Sequence, residues 1–244
     1  MKSLLFAVCA LFAGLAKVSA QQNLIPNFNF ADPTPLKGWR VDFPYQDWYK
    51  KNVTYVKQTT MGGKRCAVID LPPGVAGNEG GKIETALVQC EPGATYRAEV
   101  EAYLPDFSAK VHAEVFAANP RPELAAPPDP NAKNPNNSIF RIPEGDGHPA
   151  LIMIYRKQFP DPPKGAKWSK VETTFTVPME WDVNLGKDAN NRSVYKKVKP
   201  AYMSLKAYTY EATMGAGKAY FTDFKLFKTR GPDPGAAPKG GLVR

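Results

Sequence analysis

Histidine and cysteine are scarce in this chain, and their scarcity argues against several classes of enzyme. The 244 residues include three cysteines and two histidines, His112 and His148. The histidines are too far apart for a zinc-binding motif, and no Cys-x-x-Cys redox pair is present. A Gly-x-Ser-x-Gly nucleophile elbow is also missing. The sequence therefore gives no support to serine, cysteine or zinc catalysis.

Long apolar runs are missing after the first twenty residues, so no transmembrane helix is predicted. The run from Leu4 to Leu15 is too short to span a bilayer. It follows Lys2 and precedes the small residues Val18-Ser19-Ala20, which is the pattern of a cleavable signal peptide. We expect residues 1–20 to be removed near Ala20 and the mature chain to be secreted.

Acidic residues are fewer than basic ones. The formal net charge is +9 and falls to +7 when Lys2 and Lys17 leave with the signal peptide. The lysines are scattered and form no dense stripe, which argues against nucleic acid as a partner. The charge fits an acidic polysaccharide, an anionic cell surface or simple solubility.

Export also decides how the remaining cysteines are interpreted. Cys9 lies in the predicted signal peptide, which leaves Cys66 and Cys90 in an oxidising compartment. Both lie in strand-like segments, KRCAVIDL and IETALVQCEPG. We expect one disulfide between them.

Short segments of alternating polarity fill the mature sequence, with almost no helical periodicity. In 95–103, for example, Tyr96, Ala98 and Val100 share one face of a strand while Arg97 and Glu99 share the other. This pattern predicts antiparallel strands with one buried face, in one domain over 21–228 followed by a flexible tail at 229–244. The predicted strands lie near 53–60, 64–71, 82–90, 95–104, 109–117, 150–158, 168–178, 201–210 and 219–228.

Two long polar stretches interrupt the strands, at 118–149 and 179–200. They are rich in proline or asparagine and are predicted to be loop insertions. If the strands that flank them run antiparallel, both insertions emerge at one end of the sandwich and could wall a single site.

The two ends of the mature chain carry a resemblance to a known family. The opening run Asn23-Leu24-Ile25-Pro26-Asn27, with Phe30 and Gly38-Trp39 after it, resembles the start of CenC-like carbohydrate-binding modules of the family 4, 9 and 22 type. VQCEPGATYRAEVEAY, WSKVETTFTVP and the closing AYFTDFKLFK are similar to later strands of that family. The resemblance implies a jelly-roll β-sandwich without catalysis of its own, glycan binding on a concave face or at loop tips, and a structural calcium ion.

The calcium site is where the sequence departs from this family. Asp223 matches the terminal aspartate of the family's site and is the calcium candidate. The family places a second acidic residue directly after the first-motif phenylalanine, where this chain has Ala31, and Asp32 comes one position late. A calcium ion would therefore need other oxygen ligands.

Sugar binding needs flat aromatic faces that stack on pyranose rings, together with polar groups that bind hydroxyls. The segment DFPYQDWYKKN offers Tyr45, Trp48 and Tyr49 in polar surroundings. Packing of these rings against their own sandwich is the alternative. Trp39 and Trp168 fall at positions that the family buries, and we expect both in the core.

Outward-facing polar residues of the strands form the second candidate surface, and an ordinary solvated sheet face is its alternative. The candidate binding residues among them are Arg97, Tyr103, His112, Glu114 and Tyr208, with Glu99, Glu101, Lys206 and Tyr210 beside them.

These features predict a secreted, non-catalytic protein that binds a polysaccharide, acidic ones included. A structural or adhesive surface protein that uses the jelly roll for protein contacts is the alternative from another class. A glycoside hydrolase or polysaccharide lyase has less support, because any sheet face rich in glutamate offers paired carboxylates.

Overall fold

The chain forms two antiparallel β-sheets in a computed structural model that describes residues 21–43, 52–73, 80–121, 141–142, 144–145, 147–209 and 216–232. In these ranges no helix is long and apolar enough to cross a membrane. The predicted signal peptide lies outside them. The elements are β1 (Trp39–Arg40), α1 (Asn52–Tyr55), β2 (Val56–Met61), β3 (Lys64–Leu71), β4 (Gly81–Thr85), β5 (Val88–Gln89), β6 (Thr95–Leu104), β7 (Lys110–Ala118), β8 (Arg141–Ile142), β9 (Leu151–Gln158), β10 (Gly165–Thr176), β11 (Trp181–Lys187), β12 (Ser193–Val198), β13 (Pro200–Thr209) and β14 (Gly217–Arg230).

Each sheet joins strands that are distant in sequence. The seven-stranded sheet has the order β1-β4-β13-β7-β9-β8, with β5 also paired to β13. The five-stranded sheet has the order β10-β6-β14-β3-β2. The fold is thus an all-β, antiparallel jelly-roll β-sandwich, as the sequence predicts.

The core lies between the two sheets because alternate residues of each strand point inward. In β6 the side chains of Tyr96, Ala98, Val100, Ala102 and Leu104 are buried, while the residues between them are more exposed. One hydrophobic cluster joins these to the inward residues of β7, β13 and β14.

The two ends of the mature chain meet beside this core. Leu24 N donates to Leu226 O at 2.9 Å. The Trp39 ring stacks on Phe30 at 4.4 Å and meets Phe224 edge-on at 4.8 Å. Trp39 is therefore a core residue, as predicted, and it packs the N-terminal loop against the last strand.

Most predicted strands agree with observed ones, with three differences of detail. The segment 82–90 is divided into β4 and β5 by a break at Ala86 and Leu87. The segment 53–60 begins as the one-turn helix α1, whose Asn52 side chain donates to Val41 O and Lys82 O, both at 2.7 Å. β14 extends to Arg230, into the predicted tail.

The second predicted insertion contains regular structure. In 179–200 the strands β11 and β12 form a two-stranded antiparallel ribbon. Trp181 and Leu185 pack against the main core, which explains why this polar stretch is ordered. Most of the first insertion, 118–149, lies outside the described residues.

The predicted disulfide between Cys66 and Cys90 is wrong, because both cysteines are free. Cys66 lies in β3 and faces away from the main core, in a small cluster with Val68 and Tyr220. Cys90 follows β5 of the other sheet and packs against the main core. The two thiols therefore lie on opposite sides of a packed sheet, and burial raises the pKa of Cys66 to about 11 and that of Cys90 to about 12.

Candidate functional site

The predicted surface residues lie on two different sheets. Arg97 and Tyr103 are in β6 of the five-stranded sheet, whereas His112, Glu114 and Tyr208 are in β7 and β13 of the seven-stranded sheet. The core separates the two sets. They cannot form one site, since each set faces outward from its own sheet.

The outward face of the seven-stranded sheet carries an unusual set of buried polar side chains, which we call the polar face. Neighbouring strands place them side by side: Lys206 is paired with both His112 and Glu84, and Ser204 is paired with Glu114. Glu114 is in turn paired with Arg156 of β9. The members of the polar face are Lys82, Glu84, His112, Glu114, Arg156, Ser204, Lys206 and Tyr208.

Glu114 is held between two cations at the centre of the polar face. Its Oε1 accepts from Arg156 Nε at 3.0 Å and lies 2.8 Å from Arg156 Nη2, and it also accepts from Lys206 Nζ. Burial alone would raise the pKa of Glu114, but Lys206 and Arg156 lower it to about 2. The side chain is thus a fixed carboxylate at neutral pH.

Glu84 forms a second ion-paired centre at the edge of the polar face. Its carboxylate is 2.8 Å from Arg40 Nη1 and 2.9 Å from Lys82 Nζ. Lys82 Nζ also lies 3.5 Å from the centroid of the Phe43 ring. Burial lowers the pKa of Lys82 to about 8, while Glu84 opposes this shift.

Among the residues that the structure describes, two polar atoms of the polar face are buried without a hydrogen-bond partner, namely His112 Nδ1 and Ser204 Oγ. His112 is 3% exposed and Ser204 is fully buried. The His112 ring lies beside the half-buried Tyr208 ring, with centroids 5.4 Å apart. Burial, with the nearby charges of Arg156 and Lys206, lowers the pKa of His112 to about 4. The imidazole is therefore neutral at pH 7, with an unsatisfied ring nitrogen.

The polar face continues into an apolar patch on the same side of the sheet. There, Phe116 of β7 pairs with Tyr202 of β13 and with Met153 of β9. The side chains of Phe116 and Met153 form a buried cluster with Ile142 and Leu151, and Tyr202 packs against it. Apolar and polar side chains thus adjoin on one outward face, which suits a ligand with both kinds of surface.

The aromatic candidates Tyr45, Trp48 and Tyr49 lie outside the described residues. Phe43 and Asn52, the described residues on either side of the segment 44–51, both contact Lys82. Phe43 contacts its ammonium group, and Asn52 Oδ1 accepts from its backbone N–H at 2.7 Å. Phe43 and Asn52, the described residues that flank this segment, thus both lie at the edge of the polar face.

The outward face of the five-stranded sheet is closer to an ordinary solvated surface. Arg97 pairs with Glu99 at 3.2 Å and lies over the Phe227 ring at 5.1 Å. Tyr103 packs on Trp168, with centroids 5.8 Å apart. Trp168 lies on this outer face, half-buried, and not in the core between the sheets where we expected it.

Asp223 is poorly surrounded for a calcium ligand. It lines a cleft of about 410 Å³ with Lys64 and Arg65, and its Oδ2 lies 3.9 Å from Lys225 Nζ. In the described part of the chain no group of three His, Cys, Asp or Glu side chains could hold a metal ion. Calcium at Asp223 stays an untested prediction, which this set of neighbours does not favour.

Several members of the polar face were missed by the sequence reasoning, namely Lys82, Glu84, Arg156 and Ser204. The alternation in GKIET, which places Ile83 inward, was the available signal for Lys82 and Glu84. No comparable signal existed for Arg156, because a β-bulge between Val115 and Phe116 changes the register against β9.

No protein-family model and no curated protein sequence matches the chain. Solved structures with a similar fold include TmCBM61 in complex with β-1,4-galactotriose, at 13% identity and a TM-score of 0.40, covering 85% of this chain and 99% of that one. A CBM4 structure aligns at 14% identity and a TM-score of 0.41, covering 84% and 99%. The tandem CBM22 domain of Paenibacillus barcinonensis Xyn10C aligns at 12% and 0.40, covering 89% and 52%. At these identities and TM-scores the matches carry no information on function.

Proposed function

We propose that the chain binds a carbohydrate at the polar face of its seven-stranded sheet and acts without catalysis. The observation that carries this proposal is the pair of unsatisfied buried atoms, His112 Nδ1 and Ser204 Oγ, in a row of otherwise paired charges. A buried polar atom without a partner costs free energy, about 1–3 kcal/mol. Both atoms are buried, so a ligand hydroxyl would recover that cost only where the groups that cover the polar face move aside to admit it.

The surrounding charges support recognition of sugar hydroxyls. Glu114 is fixed by Arg156 and Lys206, so its orientation is set before any ligand arrives. Hydrogen bonds to ionised groups are about twice as strong as those between neutral groups. The half-buried Tyr208 ring adds an apolar surface that can lie against the C–H side of a pyranose.

Lys206 extends the proposal to acidic polysaccharides. Its ammonium group carries three N–H donors, and among the described residues its hydrogen bond goes to Glu114. A ligand carboxylate or sulfate could take another donor. The formal net charge of the mature chain, +9 less the charges of Lys2 and Lys17, or +7, favours approach of the same ligands.

Protonation states support binding over acid–base chemistry. The pKa values of His112, about 4, and Glu114, about 2, lie well below pH 7. A general acid or base works best with a pKa near the working pH. Neither side chain meets that condition. Lys82 has a pKa of about 8, but its ammonium group lies 2.9 Å from the Glu84 carboxylate and is held there as an ion pair. We therefore propose no hydrolase or lyase activity.

A structural or adhesive role is the second candidate, and the β11–β12 ribbon favours it. Of the four exposed large hydrophobic residues in the described ranges, three lie in or beside this ribbon: Met179, Val194 and Tyr195, the last 59% exposed. These side chains are spread along the ribbon, since Trp181 pairs with Val198 and Gly186 with Val194, and each would offer a protein partner a separate apolar contact. In this reading the chain would be a surface or matrix protein.

Binding of the secreted mature protein to neutral and acidic polysaccharides, measured by calorimetry, tests the proposal. Ser204→Ala is the decisive variant because it removes an unpaired hydroxyl and should leave folding stability intact. We expect its affinity to fall about tenfold, the worth of one hydrogen bond. Arg97→Ala on the other sheet is the matched control and should bind normally. Trp48→Ala tests whether the aromatic segment adds stacking.

The outcomes separate the two candidate functions. Binding that survives moderate salt and weakens in Ser204→Ala supports a carbohydrate site on the polar face. Binding that salt abolishes would assign it to net charge alone. Absence of binding across all polysaccharides, or equal affinity of Ser204→Ala and the wild type, would refute the proposal and favour the structural role.

A further inference from the structure

Cationic side chains surround the cleft in which the family resemblance implies a metal ion. The cleft measures about 410 Å³. Asp223 is the single carboxylate of the lining in the described part of the chain. Lys64, which is ion-paired with Glu101, and Arg65 bring positive charge, and Asn29, Ala31 and Thr222 complete the lining. A calcium ion needs six to eight oxygen ligands with carboxylates among them. The charge of this lining opposes a divalent cation.

Arg65 connects the N-terminal loop to the β-sandwich at this cleft. Its Nη1 donates to Ala31 O at 2.8 Å, which links β3 to the N-terminal loop. The backbone of Arg65 is held in turn by Thr222, whose buried Oγ1 donates to Arg65 O at 2.7 Å. One arginine thus joins the N-terminal loop, β3 and β14.

The nearby carboxylates are each matched with a lysine. Asp223 sits at a bulge of β14 with φ of 50°, and its nearest cation is Lys225, at 3.9 Å. Asp32 turns to its own loop, where it accepts from Thr34 N at 2.9 Å and pairs with Lys37 at 3.1 Å. Neither carboxylate is directed to a shared ligand.

We infer that Arg65 is the built-in cation of this cleft and that the fold is independent of calcium. The guanidinium donates to the Ala31 carbonyl oxygen, a backbone group of the kind that calcium binds in proteins. Direct bonds strengthen the same junction: Asn23 Oδ1 accepts from Leu226 N at 2.8 Å, and Phe224 N donates to Phe28 O at 3.1 Å. This inference does not depend on the proposed carbohydrate function.

Thermal unfolding of the mature chain in calcium and in EDTA tests the inference. We expect the same Tm in both buffers and no saturable terbium luminescence. Arg65→Ala should lower the Tm by about 3 °C in both buffers, as loss of one charge-assisted hydrogen bond predicts. Lys57→Ala, an exposed lysine on neighbouring β2, is the control and should leave the Tm unchanged.

A double variant, Ala31→Asp with Arg65→Ser, provides the converse test. It removes the guanidinium and adds a carboxylate to the cleft lining, so its Tm should rise when calcium is added. A Tm of the wild type that falls in EDTA would overturn the inference. An Arg65→Ala variant whose Tm equals that of the wild type would also overturn it. If the Tm of the double variant does not change with calcium, the role of Arg65 as the cation of this cleft is contradicted.

Discussion

Lowering the pH from about 7.5 to about 5 should destabilise this protein through His112. The side chain is buried on the polar face, and its pKa is lowered to about 4 from the ordinary value of 6.5. Between these two values the unfolded chain binds a proton that the folded chain excludes. The stability that this exclusion of a proton from His112 contributes is therefore fully present above pH 6.5, and it is lost as the pH falls toward 4.

Proton linkage gives the magnitude. At pH 5 nearly all unfolded His112 is protonated and about a tenth of folded His112 is, so the free energy of unfolding falls by about 2 kcal/mol relative to pH 7.5. Glu114 adds little in this window because its ordinary pKa of 4.5 and its folded pKa of about 2 both lie below pH 5. A loss of this size is a large part of the stability of a typical domain.

Urea denaturation at both pH values, on the wild type and on His112→Gln, measures the effect. The variant lacks the titrating ring, so its pH dependence should be smaller by about 2 kcal/mol. His148→Gln, which replaces the half-exposed histidine, is the matched control. Equal pH dependence in the wild type and His112→Gln would refute the buried, neutral state of His112.

Two further predictions concern packing and redox state. Gly81→Ala should lower the free energy of unfolding by about 1–3 kcal/mol, because a Cβ there would lie 2.2 Å from Ile69 Cγ2. Gly231→Ala is the control: its Cβ meets open space, so the free energy of unfolding should not change. Equal thermal stability of the two variants would contradict the close packing of β4 on β3. Alkylation of the unfolded mature protein without reductant should modify both Cys66 and Cys90, since both are free thiols. Protection of either one from alkylation would instead indicate a disulfide.

The strand pattern of this protein is a local property, and the sequence alone was enough to predict it. Side chains alternate across a strand with a period of two, so the buried residues of β6 can be identified from TYRAEVEAYL without other information. The resemblance to carbohydrate-binding modules, and not this alternation, predicted the burial of Trp39. The same expectation was wrong for Trp168. This residue lies in β10 at a sheet edge, and its indole packs outward on Tyr103.

The grouping of strands into sheets was decided only by the tertiary structure. Alternation shows which residues share a face of one strand, but not which sheet that strand joins. The sequence therefore predicted Arg97 and His112 as parts of one surface, and Cys66 and Cys90 as a bridged pair. The pairing of β6 with β14, and of β7 with β13, separates each of these pairs.

The sequence by itself determined the all-β class, the direction in which the residues of each strand face, and His112, Glu114 and Tyr208 as outward polar side chains. Tertiary structure alone brought Arg156, Lys206 and Ser204 around Glu114, from strands far apart along the chain. The physical reason is that burial and charge pairing depend on neighbours across a sheet. Such neighbours are fixed by long-range register, which local sequence patterns do not encode.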